Sequence, residues 1–375
     1  MSYPISVVVP TKNRYKHLKK LIELIIGFDT DELELVIQDN SDNNQEILEF
    51  LNSISYSWLK YYYCGDHLTS IENFDLAINH TTGDYVCFIG DDDGVVRNIV
   101  DCAKWMKANN IEALRPATST YEWPECGRNG YLTVDGRFKI LEYLNPVKEL
   151  VKILKNGCLT LGNIPVLYTG VVKRSVLIDI YNDYNTYFPG GASADVANGV
   201  ALCFYVKRYV KLNVPITITG TSKTTGGVKN RRLFIPFSEL PFISSQVGPN
   251  WEGDYPKYWF GDFVWPESAT KSLRAQGKEA FIYMMNTDIV YAHAVIRAKC
   301  SPSEYYPFCS PLKLLYKIVK TYFTDYCLKL SRRLRWLSLS LKTNKKYSAK
   351  GFPDIIGAEE FFAAHSIDFK KLEYK

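Results

Sequence analysis

The chain has 375 residues, 46% of them hydrophobic and 23% charged, proportions of a globular protein with room for one large domain or roughly two to three smaller ones. Its formal charge of +5 is mild and does not by itself call for a nucleic-acid partner. Nine scattered cysteines without a CxxC pair suit a reducing compartment, and no run of about 18 apolar residues predicts a membrane span.

The N-terminus runs straight into Ile5–Val9 (ISVVV), a β-branched run stopped by Pro10, which predicts a buried strand and no secretory signal. Leu18, Leu21, Ile22 and Ile25 then recur at helical spacing, with lysines on the other side. Leu33–Ile37 predicts a second strand, Ile47 to Ile54 a second helix and Leu59–Cys64 a third strand. Ser70 is placed to cap a helix carrying Ile71, Phe74 and Ile78. Tyr85–Ile89 is the fourth strand, and a helical stretch runs on to about Asn109.

This alternation predicts an α/β fold with a doubly wound, mainly parallel sheet. Right-handed crossovers then gather the strand ends on one rim, where ligands of such sheets bind. Three polar clusters fall on that rim: Thr11–Arg14, Asp39–Asp42 and Asp91–Asp93. Beyond Tyr121 the pattern loosens, so the expected division is 1–116, 117–225 and a C-terminal, mostly helical region at 226–375. No internal repeat or low-complexity tract is present.

The run GDDDG at Gly90–Gly94 sets three carboxylates at the mouth of a buried strand. Like charges about 5 Å apart repel by roughly 3 kcal/mol at an effective dielectric near 20. One reading is an Asx-type turn capping a helix that begins near Val95, stabilised by the helix dipole. The other is a hard divalent cation, Mg²⁺ or Mn²⁺, held by few carboxylates with phosphate completing its shell. EF-hand and HExxH spacings are absent, and His17, His67, His80, His293 and His365 lack ligand spacing.

VVVPTKNR at Val7–Arg14, LVIQDNSDN at Leu35–Asn43 and GDYVCFIGDDDG at Gly83–Gly94 resemble, in order and spacing, three signatures of family 2 glycosyltransferases with the GT-A fold. The likeness covers about the first 110 residues, weakens through Asp195 and is lost over the C-terminal third. It implies a nucleotide sugar lying along the rim, with a UDP-sugar the first candidate. Pro10 and Thr11 would line the base, Asp39 would accept a hydrogen bond from a pyrimidine ring, and Asp91 would hold the ribose hydroxyls. Asp92, with Asp93 beside it, would hold Mn²⁺ or Mg²⁺, and Arg14 and Asn73 would contact the donor. The first Asp of the usual Asp-any-Asp pattern falls at Gly90, so the pattern is displaced here.

Inverting sugar transfer needs a carboxylate to take the acceptor proton. YFPGGASADVANGVAL at Tyr187–Leu202 is a Pro/Gly turn followed by Asp195 opening an apolar helix, and similar enzymes carry their base at such a turn. Asp195 is therefore the expected base, ahead of Asp179 and Asp183; a plain helix-terminal carboxylate is the other reading. The Gly/Ser/Thr loop in Val214–Gly227, with Lys223 and then Lys229, Arg231 and Arg232, either closes over a diphosphate or is a solvated loop. Leu312–Leu341 predicts a long amphipathic helix, N-capped by Ser310, in a basic segment (312–346) that either lies on an anionic leaflet or packs on the body.

The expected activity is inverting, metal-dependent transfer of single sugars from a nucleotide sugar to a saccharide or lipid-linked acceptor in surface-polysaccharide assembly. The Gln-x-x-Arg-Trp motif of processive synthases is absent. The expected location is cytoplasmic, with peripheral contact on the inner face of the membrane and no nucleic-acid partner. A sugar nucleotidyltransferase, or an inactive saccharide- or partner-binding homologue, stands as the alternative.

Overall fold

In a computed structural model, residues 3–134, 140–223, 235–240, 243–298, 301–305, 307–339, 347–363, 369 and 373–374 are described. Strands β1 (Ile5–Thr11), β2 (Leu33–Asp39), β3 (Leu59–Tyr63) and β4 (Tyr85–Phe88) alternate with α1 (Tyr15–Ile26), α2 (Gln45–Asn52) and α3 (Ser70–Asn79). All pairings among these four strands are parallel. Thr11 lies opposite Asp39 in the β1–β2 register, which puts the first two polar clusters side by side on one rim.

The alternation of side chains along β1 explains why it reads as continuously apolar. Ile5, Val7 and Val9 face Leu18, Leu21 and Ile22 of α1, whereas Val8 joins Ala77, Ile78 and Val86 on the other face. Both faces are covered, as a doubly wound sheet requires. The α3 cap lies one residue earlier than Ser70. Thr69 Oγ1 accepts from Glu72 N (3.3 Å) and Glu72 Oε2 from Thr69 N (2.7 Å), a capping box.

Next come β5 (Gly94–Val95), α4 (Ile99–Ala108), β6 (Ala113–Arg115), β7 (Ser119–Glu122), β8 (Tyr131–Val134), β9 (Ile140–Leu144) and α5 (Pro146–Lys155). They are followed by β10 (Val171–Lys173), α6 (Arg174–Tyr184), α7 (Ala194–Tyr205), β11 (Tyr209–Leu212) and β12 (Thr217–Thr221). The later elements described are α8 (Gly261–Ala275), α9 (Glu279–Ile282), α10 (Thr287–Ala298), α11 (Pro311–Leu339), β13 (Tyr347–Lys350), α12 (Ile355–Ala363) and β14 (Glu373–Tyr374).

Among the described residues the main sheet has the order β14-β9-β11-β6-β10-β4-β1-β2-β3, mixed at one end and parallel at the other. A second sheet, β13-β8-β7-β12-β5, was not evident from periodicity, because its strands are short and interrupted by turns. Its β12 pairs with both β5 and β7, and so closes over the loop that carries the aspartates. Helix α4 begins at Ile99 and its N-cap is Asn98, so Asp91–Asp93 do not cap it. No described helix is long and apolar enough to cross a membrane, and each cysteine described is outside any disulfide.

Helix α12 returns to the first half of the chain and packs on α1 and β5. Its Glu359 is fully buried and accepts from the Arg97 backbone NH (3.0 Å), Nε (3.1 Å) and Nη2 (2.9 Å). Arg97→Ala removes two of those donors from a buried carboxylate and is expected to cost about 1–3 kcal/mol of stability. A urea titration checks this; an unchanged midpoint would show that the pair does not hold α12 in place.

Candidate active site

The turn after β4 buries all three aspartates, each no more than 3% exposed, and the folded chain meets their charge locally. Arg14, at the N-terminus of α1, places Nη1 2.8 Å from Asp91 Oδ1 and Nη2 2.5 Å from Asp92 Oδ2. Thr11 Oγ1 donates to Asp91 Oδ2 (2.7 Å). Ser222, just past β12, donates to Asp92 Oδ2 (2.8 Å) and accepts from Arg14 Nη2 (2.8 Å). Asp93 turns the other way: Tyr168 Oη (2.5 Å) and Gly90 N (2.7 Å) donate to Oδ2, and Gly220 N (2.6 Å) to Oδ1.

Burial works against the Arg14 charge, but Asp91 and Asp92 outweigh it and its pKa ends above the usual value. Burial pushes Asp91 up to about 7, with Arg14 pulling down and Asp92 pushing up. Asp93 also rises to about 7, through burial and then repulsion from Asp92. The Tyr168 hydroxyl is driven well above its normal range by burial and by Asp93, so it stays a donor. Sequence reasoning missed Tyr168, Ser222 as a partner of the aspartates, and Trp123, whose Nε1 donates to the Asp92 carbonyl (2.9 Å).

A cleft of about 1150 Å³ opens at this rim. Pro10, Thr11, Arg14, Asn73, Asp91, Asp92 and Asp195 line it together. Asn73 is buried and its Oδ1 has no hydrogen-bond partner among the described residues, a polar atom available to a ligand. Asp39 is placed differently: fully buried behind the rim, it accepts from Tyr15 Oη (2.7 Å), Tyr61 Oη (2.7 Å) and Ser41 N (2.8 Å) and does not line the cleft. Lys223 is exposed and lies outside the cleft lining; Lys229, Arg231 and Arg232 lie outside the described residues.

Asp195 sits in the first turn of α7, half-buried, and burial pushes its pKa up to about 6. The turn that delivers it is held from two sides. Asp75 of α3 accepts from Thr186 Oγ1 and Tyr187 N, both at 2.8 Å, and Ser268 Oγ of α8 accepts from Ser193 N (2.9 Å). Gly190 has φ +80, and a Cβ there would sit 2.7 Å from the Lys271 carbonyl oxygen. Asp179 and Asp183 do not line the cleft, and Asp183 accepts from Tyr205 instead. Residues 243–259 and Lys271 form part of the far wall, which the first half of the sequence gave no means of foreseeing.

Among the described residues no group of three or more His, Cys, Asp and Glu is arranged to hold a metal ion. A hard dication needs only one or two carboxylates when diphosphate oxygens complete its shell. Asp92, with Asp91 beside it, faces the cleft and fits that donor set. Asp93 does not, because it does not line the cleft and its carboxylate already accepts three hydrogen bonds.

Residues 6–114 match the family described as Glycosyl transferase family 2. The N-terminal part of the chain is thus a family 2 glycosyltransferase domain, and the chain a glycosyltransferase. No curated protein matches. Among solved structures, S. aureus TarS 1-349 in complex with UDP-GlcNAc is 18% identical, with 85% of this chain and 79% of that chain covered and a TM-score of 0.47. Mannosyltransferase PcManGT from Pyrobaculum calidifontis, in complex with GDP-Man and Mn²⁺, is 14% identical over 88% of this chain and 87% of that chain, with a TM-score of 0.41. At such low identity and score, neither likeness assigns a role to a residue here.

Gly220 carries the tightest contact at the site: a Cβ there would lie 1.7 Å from the Asp92 carbonyl oxygen. Gly220→Ala must therefore push the aspartate turn away from β12. We expect nucleotide binding, read by isothermal calorimetry with UDP, to weaken at least about tenfold, the equivalent of roughly 1.4 kcal/mol. Unaltered affinity would show that the turn's position does not matter to the ligand.

Proposed function

We propose that this glycosyltransferase moves one sugar at a time, with inversion, from a nucleotide sugar in the cleft to a hydroxyl of a saccharide or lipid-linked acceptor in surface-polysaccharide assembly. The observation that carries this reading is that Asp195, on α7, lines the same cleft as Asp91, Asp92 and Arg14, more than 100 residues earlier in the chain. A base and an anion-binding corner then face one bound donor from different elements.

In this reading Pro10 and Thr11 lie along the base, with Asp39 behind them ordering Tyr15 and Tyr61. Asp91 takes the ribose hydroxyls, Asn73 offers its unpaired Oδ1, and Arg14 turns its guanidinium to the diphosphate, a planar fork suited to phosphate oxygens. Lys223 would reach the diphosphate with the loop that follows it. Asp92 would hold Mn²⁺ or Mg²⁺, which when bound takes up charge on the leaving diphosphate. Asp195 accepts the proton of the acceptor hydroxyl as its oxygen bonds to the anomeric carbon. The bond from that carbon to the diphosphate breaks, and the electron pair leaves with the nucleotide.

Hydrolysis or transfer from a panel of sugar nucleotides, with and without Mn²⁺, tests the reading. Turnover that chelation with EDTA abolishes and Mn²⁺ restores is expected; no turnover and no binding with any donor would overturn it. A base with a pKa of about 6 is protonated below that pH, so kcat should climb through about pH 6 and level off above it. Asp195→Asn should lower kcat by about 10²–10⁴-fold with little change in donor affinity. The same variant has an effect on folding. The folded pKa lies above the unfolded one, so wild-type stability falls as pH rises from about 4 to 6, and the asparagine should remove that loss and raise Tm at pH 8. Unchanged turnover in Asp195→Asn would take this residue out of the mechanism.

A further inference from the structure

Helix α11 is attached to the body by one side only. Leu314 is fully buried and Thr321 nearly so, and Leu314 and Ile318 pack with Val290, Tyr291 and Ala294 of α10. A different side carries Leu312, Leu315, Tyr316, Val319, Tyr322, Phe323, Tyr326 and Leu330, between 45% and 82% exposed. At 3.6 residues per turn these positions fall within an arc of about 120° and extend over some five turns. Large side chains of roughly 150–250 Å² each, so exposed, add up to more than the roughly 300–600 Å² of a typical monomer's largest apolar patch.

We infer that this stripe of α11 is a docking surface for an anionic lipid leaflet. The proposal goes beyond sugar transfer and requires nothing of it. The stripe is made of Leu, Val, Tyr and Phe, the residues that enter the boundary between headgroups and acyl chains. Cations accompany it. Lys320 is exposed, with Nζ 6.0 Å from the Tyr316 ring centroid, and Lys313, also exposed, lies seven residues before it, so that both fall along one edge of the stripe. The helix sequence adds Lys329, Arg332, Arg333 and Arg335 against a single acid, Asp325. Near a negatively charged surface each such cation is attracted, whereas two copies of this helix pressed together would set like charges against each other. Lys313 also pairs with Asp288 of α10 at 3.0 Å, tying the start of the helix to the body. The aromatic cluster under α11 includes Trp259, which lines the cleft, so a docked helix would hold the cleft at a fixed height above the leaflet.

Vesicle flotation of the full chain tests this without any sugar nucleotide, so its outcome is separate from that of the transfer reading. The vesicles are phosphatidylglycerol mixed with phosphatidylcholine, and phosphatidylcholine alone. We expect at least about tenfold tighter binding to the anionic vesicles, weakened by added salt. The triple variant Leu315→Glu, Val319→Glu, Tyr322→Glu should stay folded by circular dichroism, since all three side chains are exposed, and should no longer float. The proposal is overturned if the wild type floats with neither vesicle, or if the triple variant floats as well as the wild type. It is also overturned if the wild type forms a concentration-dependent dimer in sedimentation that the triple variant abolishes while vesicles capture nothing; the face then belongs to a second copy.

Discussion

Arg14 and the carboxylates of Asp91 and Asp92 form the contact on which the arrangement of the rim depends. Three buried aspartates in sequence would repel by several kcal/mol if all were charged and unpaired. The fold divides that load in two. Asp91 and Asp92 share one guanidinium and two hydroxyls, while Asp93 is turned inward onto neutral donors. Each partner arrives on a different element: Arg14 before α1, Ser222 after β12, Tyr168 before β10. The turn after β4 is thus the point at which both sheets are locked together. Even so, one guanidinium does not neutralise the corner, and Asp91 and Asp93 hold their protons to about pH 7.

That imbalance bears on how the site would take a diphosphate. An incoming diphosphate brings further negative charge to a corner where Arg14, the one guanidinium there among the described residues, is already engaged. Turning Arg14 to the phosphates leaves Asp91 and Asp92 uncompensated, and leaving it in place leaves the phosphates uncompensated. In the proposed reading a doubly positive ion on Asp92 would resolve the conflict, one side keeping the guanidinium while the other has the ion. Such a cation would answer the way Arg14 is shared, and would not require Asp93 as a ligand.

The parallel strands and the rim were legible in the sequence because both depend on local pattern. The β-branched runs at Ile5–Val9 and Tyr85–Ile89 mark strands covered on both faces, and topology then carries their ends to one edge. The division of labour among the aspartates was not legible. It depends on which way each side chain turns, and this is set by Gly220, Trp123 and Tyr168, residues on short strands and turns with no periodic signal. Asp39 shows the same limit. Its place beside Thr11 follows from strand register, whereas its engagement with Tyr15 and Tyr61 depends on a helix and a neighbouring strand meeting behind the rim. The far wall of the cleft comes from residues 243–259, whose position no local pattern encodes.

Gly90 has a physical explanation within this arrangement. A Cβ at that position would lie 3.2 Å from Asp93 Oδ2, 3.4 Å from Asp92 Oδ1 and 3.5 Å from the Tyr168 hydroxyl. An aspartate there would add a fourth carboxylate beside Asp92 and Asp93 and would crowd the Tyr168 hydroxyl. Glycine avoids both effects, and its backbone NH supplies one of the three donors that hold Asp93. Asp195 is raised to about 6 by burial alone. Asp91, more deeply buried and repelled by Asp92, is raised to about 7 even with Arg14 beside it. Burial is the first cause of both rises, so what distinguishes the two carboxylates is placement: Asp91 is paired with Arg14 on the turn after β4, whereas Asp195 enters the cleft from the first turn of α7.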